Sequence, residues 1–280
     1  MQHCSFEFVE FLNSSIRFLQ DVEIIYKPTI LIQIKMSETN EQLKELGRRL
    51  EEVAITGILR SNLEEAITVL APKFDISDEE LKSYPFPQIN IIRGKQLIEY
   101  GYLVHTIDEN SALYNPHDKV FLWGIALISN IPAIGEESSH FLHLELNPIH
   151  KQKFQFLSRE YWTAMNLMEL VGCYGKFLYA SKKGEKVQIA DDIWPRDAMA
   201  NPAELTAEYL ISVYTHQRGY RRAERIFNEY GDLLLPRIAR MSPQEALEVL
   251  PRLAPVSLYE KRILPILDRV RRAKIGSTNI

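Results

Sequence analysis

The chain has 280 residues, 46% of them hydrophobic and 25% charged, with a formal net charge of −4. That composition excludes a predominantly disordered chain, and no run of about 18 apolar residues occurs that would cross a membrane, so no membrane partner is expected. The two cysteines, Cys4 and Cys173, have neither zinc-ribbon nor disulfide-framework spacing, which favours a reducing compartment with the cytoplasm as the default.

The opening MQHCSFEFVEFLNSSIRFLQ is apolar, but Glu7 and Glu10 interrupt it and no basic stretch precedes it, which argues against a signal peptide. Two readings of residues 1–36 stand: an extension upstream of a true start at Met36, or an N-terminal strand or helix packed on the core. From Ser37 onward, Leu43, Leu46, Leu50, Val53, Ile58, Leu63, Ile67 and Leu70 recur mostly three or four apart. This predicts an amphipathic helix or helix pair, broken near Gly57 or Ser61. SDEE at Ser77–Glu80 reads as a capping box opening a short helix that YPFPQ ends, so residues 37–93 form a helical N-terminal region.

GKQLIEYGYLV predicts a further helix over Gly94–Val104. Asn115, Pro116, His117 and Asp118 make a turn, and KVFLW after it has the β-branched and aromatic content of a hairpin or edge strand. A helix begins after Pro132 and ends by Asn147-Pro148, and a second runs from Ser158 to Ala180. Residues 181–280 read as a polar loop followed by helices opened at Asn201-Pro202 and Ser242-Pro243, each with a glutamate close behind. Arg218 to Lys274 holds 13 basic and 7 acidic residues, a local charge of +6. Without a known nucleic-acid-binding motif, that run reads as a solvated helix face rather than a nucleic-acid interface. The expected fold is α+β and predominantly helical, with a small sheet or hairpin packed beside a helix pair and no marked linker.

The candidate chemistry lies in GEESSHFLH, where Glu136, Glu137, His140 and His143 stand at i, i+1, i+4 and i+7. Residues four apart are neighbours on a helix, so Glu136 and His140 can reach one ion from successive turns. Glu169, in NLMELVG, would return to the same point on an antiparallel helix. Gly172 and Gly175 cost that helix about 1 kcal/mol each relative to alanine, which close packing against the His140 helix would explain. Ser138 and Ser139 point to a solvated side of the His140 helix.

Residues 94–180, in the order strand, EExxH helix, acidic helix, resemble a minimal zincin domain of the gluzincin type. The family signature is HExxH, in which two histidines bind zinc and the glutamate is general base. The resemblance implies that Glu136 takes the first histidine's place, that Glu137 is catalytic, and that His140 and Glu169 complete the metal ligands. It also implies that the KVFLW strand pairs with an extended substrate peptide. One imidazole and two carboxylates make a set that suits Zn²⁺, with Mn²⁺ or Fe²⁺ as competitors. The function implied is a metal-dependent hydrolase acting on peptides. The alternative is a domain of the same architecture that has lost its chemistry and offers its cleft to a peptide or protein partner.

Other patterns carry less. Glu137-Ser-Ser-His140 also matches half of a helical di-iron carboxylate site, but no second ExxH occurs. His216, in THQRGYRRAE, reads as part of a surface helix junction at Gly219, and DDIWPRD as an ordinary loop. There is no GxGxxG, Walker loop or GxSxG.

Overall fold

The computed structural model describes residues 40–100, 103–154, 158–187 and 207–253, and the chain divides after Gly57 into two units. In the first unit the described residues are helical, and Glu45 pairs with Arg48 and Arg49 along the exposed face. Helix α1, Asn40–Leu70, is continuous. The break expected near Gly57 or Ser61 does not occur, because one glycine costs a helix only about 1 kcal/mol and the burial of Leu59, Leu63, Ala66 and Leu70 outweighs it.

The second unit continues with α2, Asp78–Ser83, whose N-cap Ser77 accepts a hydrogen bond from the Glu80 amide. Five strands follow: β1 Gln88–Ile92, β2 Gln96–Tyr100, β3 Leu103–Ile107, β4 Ala112–Asn115 and β5 Val120–Gly124. The helix expected over Gly94–Val104 is instead the β2–β3 antiparallel hairpin, with Gln96 opposite Ile107 and Tyr100 opposite Leu103. QLIEY and LVHTI are each too short for a stable helix, and Val104, Thr106 and Ile107 favour the pleated conformation.

The other sheet has the order β1-β5-β4, with β5 parallel to β1 and antiparallel to β4. KVFLW is therefore the central strand and not an edge. All five residues of β5 are buried, as its continuous apolar run requires of a strand covered on both faces. The edge nearest the following helix is β4, written ALYN.

Helix α3, Ile131–Leu146, starts where Asn130 caps the Ala133 amide, with Pro132 in the first turn. Helix α4, Arg159–Lys182, starts at Ser158, which caps Tyr161. Helices α5 (Ala207–Tyr230), α6 (Leu235–Arg240) and α7 (Pro243–Leu253) complete the described fold, and Ser242 caps Glu245 as its sequence predicts. The architecture is thus α+β and predominantly helical. The core joins Leu63, Leu70, Tyr114, Phe121, Trp123, Phe141, Leu142, Leu170 and Tyr174.

The solvated side expected at Ser138 and Ser139 is absent, since both serines are fully buried. They are small enough for α3 to lie against α4, and Ser139 satisfies its hydroxyl by donating to the Gly135 carbonyl one turn back. A Cβ on Gly135 would stand 2.8 Å from that of Tyr179, and one on Gly175 would overlap Ser139. The close packing inferred from the α4 glycines is therefore present. No helix among the described residues is long and apolar enough to cross a membrane. Residues 1–39, DDIWPRD, the Asn201-Pro202 cap and the basic residues beyond 253 lie outside the described residues.

Gly175→Ala tests this contact. Alanine would return about 1 kcal/mol of helix preference, but overpacking costs roughly 1–3 kcal/mol and here meets Ser139 on a buried helix. The expected outcome is a net loss of stability, read as a lower urea midpoint at unchanged slope.

Candidate metal centre

Successive turns of α3 present Glu136 and His140, and α4 presents Glu169, Cys173 and Lys176 along one stripe at intervals of four and three residues. The structure brings together all three sequence-predicted ligands: donor atoms of Glu136, His140 and Glu169 lie within 4.8 Å of one another. A Cβ on Gly172 would overlap the His140 ring, so this glycine gives the imidazole its place beside α4.

A third helix contributes a residue that the sequence reading set aside. His216 of α5 places Nδ1 3.0 Å from Glu169 Oε2 and 3.6 Å from Glu136 Oε1. Gly219, one turn further along the same face, is no junction, because α5 runs unbroken through it. A Cβ there would stand 2.7 Å from Glu169 atoms, so the glycine lets α5 press on α4 and carries His216 to the site. That His-x-x-Gly spacing was the available signal. Lys176 and Cys173 were also missed: Lys176 Nζ lies 2.7 Å from Glu136 Oε2, and Cys173 Sγ lies 3.7 Å from Glu136 Oε1. Donor atoms of Glu136, Cys173 and His216 form a second trio within 4.8 Å.

The charges explain each ionisation. Burial pushes the Glu136 carboxyl up, but Lys176, His216 and His140 together overcome it and hold the group at about 2. Burial likewise opposes ionisation of Glu169, and the His216 hydrogen bond and charge hold it below the usual range. Burial lowers His216, yet Glu136 and Glu169 raise it to about 9. Lys176 is held above its ordinary value by Glu136 against the pull of burial. Burial and the nearby Glu136 push the Cys173 thiol well up.

Glu137, the sequence-predicted catalytic residue, differs from its neighbour. Its Oε2 accepts the Tyr114 amide of β4 at 2.7 Å. Burial pushes its carboxyl up, Glu136 and Glu169 add to that, and His140 and the Tyr114 amide oppose it, leaving it at about 7. A carboxyl so placed exchanges a proton near neutrality. Glu136 and Cys173 are buried, whereas His140, Glu169 and His216 are partly exposed, which gives the cluster a solvent-facing side.

Known protein-family models, characterised proteins and solved structures give no match to this chain. The cluster is therefore read from its own chemistry.

His143 does not join the cluster. Its ring is fully buried, and neither nitrogen has a hydrogen-bond partner among the described residues. Burial, with His140 and His150 adding, lowers it from 6.5 to about 3. Between those values the unfolded chain takes up a proton that the folded chain refuses, so stability falls as pH drops from 6.5 toward 3, by up to about 1.4 kcal/mol per pH unit from this group. His143→Phe removes both the unpaired nitrogens and that proton uptake. The variant is expected to be more stable at pH 7, by about 1–3 kcal/mol, and to lose less stability between pH 7 and pH 5, measured by urea unfolding at both.

Proposed function

We propose that residues 94–180 form a zincin-like, metal-dependent hydrolytic site with an extended peptide as its substrate class. The observation that carries this reading is the convergence of Glu136, His140 and Glu169 beside a glutamate, Glu137, whose carboxyl stands at about 7. The donors suit Zn²⁺, with Mn²⁺ and Fe²⁺ as competitors. An ion held there supplies Lewis-acid activation of water and of a scissile carbonyl.

The chain's own residues do the rest. Glu137 takes a proton at its carboxylate and returns it to the leaving nitrogen. Lys176 occupies Glu136 Oε2, which fixes the carboxylate's orientation and leaves Oε1 turned toward Cys173 and His216. The substrate strand is assigned to β4 rather than KVFLW, since β4 ends the sheet on this side. Leu113 and Asn115 face β5 in the antiparallel register, while the Tyr114 amide points to Glu137. A peptide lying beside β4 would run past Glu137 without pairing to the Tyr114 amide, which that carboxylate already holds.

A second reading has its own observation. Lys176 already neutralises Glu136, and Glu137 already satisfies an edge-strand amide. On that reading the cluster is a metal-free ion-pair network, and the β4 edge binds a peptide or protein partner without cleaving it.

Elemental analysis of the purified full chain, beside His140→Ala and Glu136→Ala, separates the two. The hydrolase reading expects about one Zn, Mn or Fe per chain, lost in both variants. Glu137→Gln retains an acceptor for the Tyr114 amide, so it should keep fold and ion while peptide hydrolysis falls by roughly 10²–10⁴-fold. Absence of metal from the wild type after incubation with each ion would establish the ion-pair network instead.

A further inference from the structure

We propose that Cys173 and His216 are ligands of the same ion, making the site a mixed nitrogen, oxygen and sulfur centre that selects a thiophilic borderline ion, Zn²⁺ or Co²⁺, over Mn²⁺ or Mg²⁺. This rests on the reading that the cluster holds a divalent ion, and it departs from the ligand set drawn from the EExxH motif.

Geometry carries it. Ligand bonds of about 2.0–2.3 Å place donor atoms on a tetrahedron about 3.3–3.7 Å apart. His216 Nδ1 and Cys173 Sγ stand 3.6 and 3.7 Å from the same oxygen, Glu136 Oε1. All three donors fall within 4.8 Å of one another, and Glu169 Oε2 is 3.0 Å from His216 Nδ1. Glu136 Oε1 thus faces a thiol and an imidazole, while Lys176 holds the other oxygen. Binding displaces the thiol proton and any proton on His216 Nδ1 to solvent, leaving a thiolate and a neutral imidazole as donors. Thiolate ligation is what separates Zn²⁺ from the harder ions, which prefer oxygen.

The test uses the full-length chain carrying Cys4→Ser, so that Cys173 is its only thiol. After stripping with a chelator, the protein is titrated with cobalt(II) and followed by absorption. The expected spectrum has the visible d–d bands of protein-bound cobalt together with a near-ultraviolet sulfur-to-cobalt charge-transfer band. Cys173→Ser should abolish the charge-transfer band and leave d–d bands. His216→Ala should weaken cobalt binding at least about tenfold, a loss that even residues behind the ligands commonly produce. Visible bands without charge transfer would overturn thiolate ligation while leaving the hydrolase reading in place, and unchanged affinity in His216→Ala would remove His216 from the set. No cobalt binding at all would overturn both. Because the spectrum of the Cys4→Ser chain already decides thiolate ligation, a folding defect in Cys173→Ser would not shield the proposal.

Discussion

Helices α3 and α4 lie so close that a methyl group on Gly135 would meet Tyr179, and one on Gly175 would overlap Ser139. That approach is the constraint on which the centre of the fold depends. It buries two serines and two adjacent glutamates in the middle of α3, a costly place for polar groups unless each finds a partner. Three of the four have one: Ser139 in the carbonyl one turn back, Glu137 in a strand amide, and Glu136 in a lysine from the facing helix. Gly172 and Gly219 extend the same device, the first making room for His140 and the second drawing α5 onto Glu169.

Burial then turns packing into electrostatics. An isolated carboxylate at the position of Glu136 would take up a proton rather than remain charged. Lys176 and His216 reverse that outcome, so Glu136 stays ionised, whereas burial raises Glu137, one residue away and hydrogen-bonded to a backbone amide, to about 7. Two adjacent glutamates on one helix are thereby driven in opposite directions by their surroundings. Such separation is how one site keeps a fixed anion and a proton-exchanging acid together.

Much of the architecture was legible because it is written in local signals. Ser158 and Ser242 each cap the helix that the sequence pattern placed there, and Glu136 and His140 lie on successive turns as helical spacing implied, with Glu169 within reach of both. The errors have a common cause, which is that periodicity does not report what covers a face. QLIEYGYLV carries too few residues on either side of Gly101 for its period to be decided, and it pairs as a hairpin. KVFLW reads as a hairpin or edge strand because its partner β1 lies some thirty residues earlier in the chain, a parallel pairing with no local mark. Ser138 and Ser139 suggested solvent, although small residues serve equally where two helices touch. His216 and Lys176 gained their meaning only from contacts made across helices.

On the proposed reading, the charges allow the ion-pair network and an ion site to be the same cluster in two states. In the metal-free state Glu136 and Glu169 are balanced by Lys176 and a protonated His216, with the Cys173 thiol neutral. Entry of a dication with loss of one proton from His216 and one from Cys173 leaves the total unchanged. A buried site that keeps the same net charge in both states avoids an uncompensated charge in a medium where one would be expensive. Lys176 is consequently no obstacle to an ion. On the proposed reading it would stay on Oε2 of Glu136, where its charge would offset the third anion that a thiolate ligand introduces.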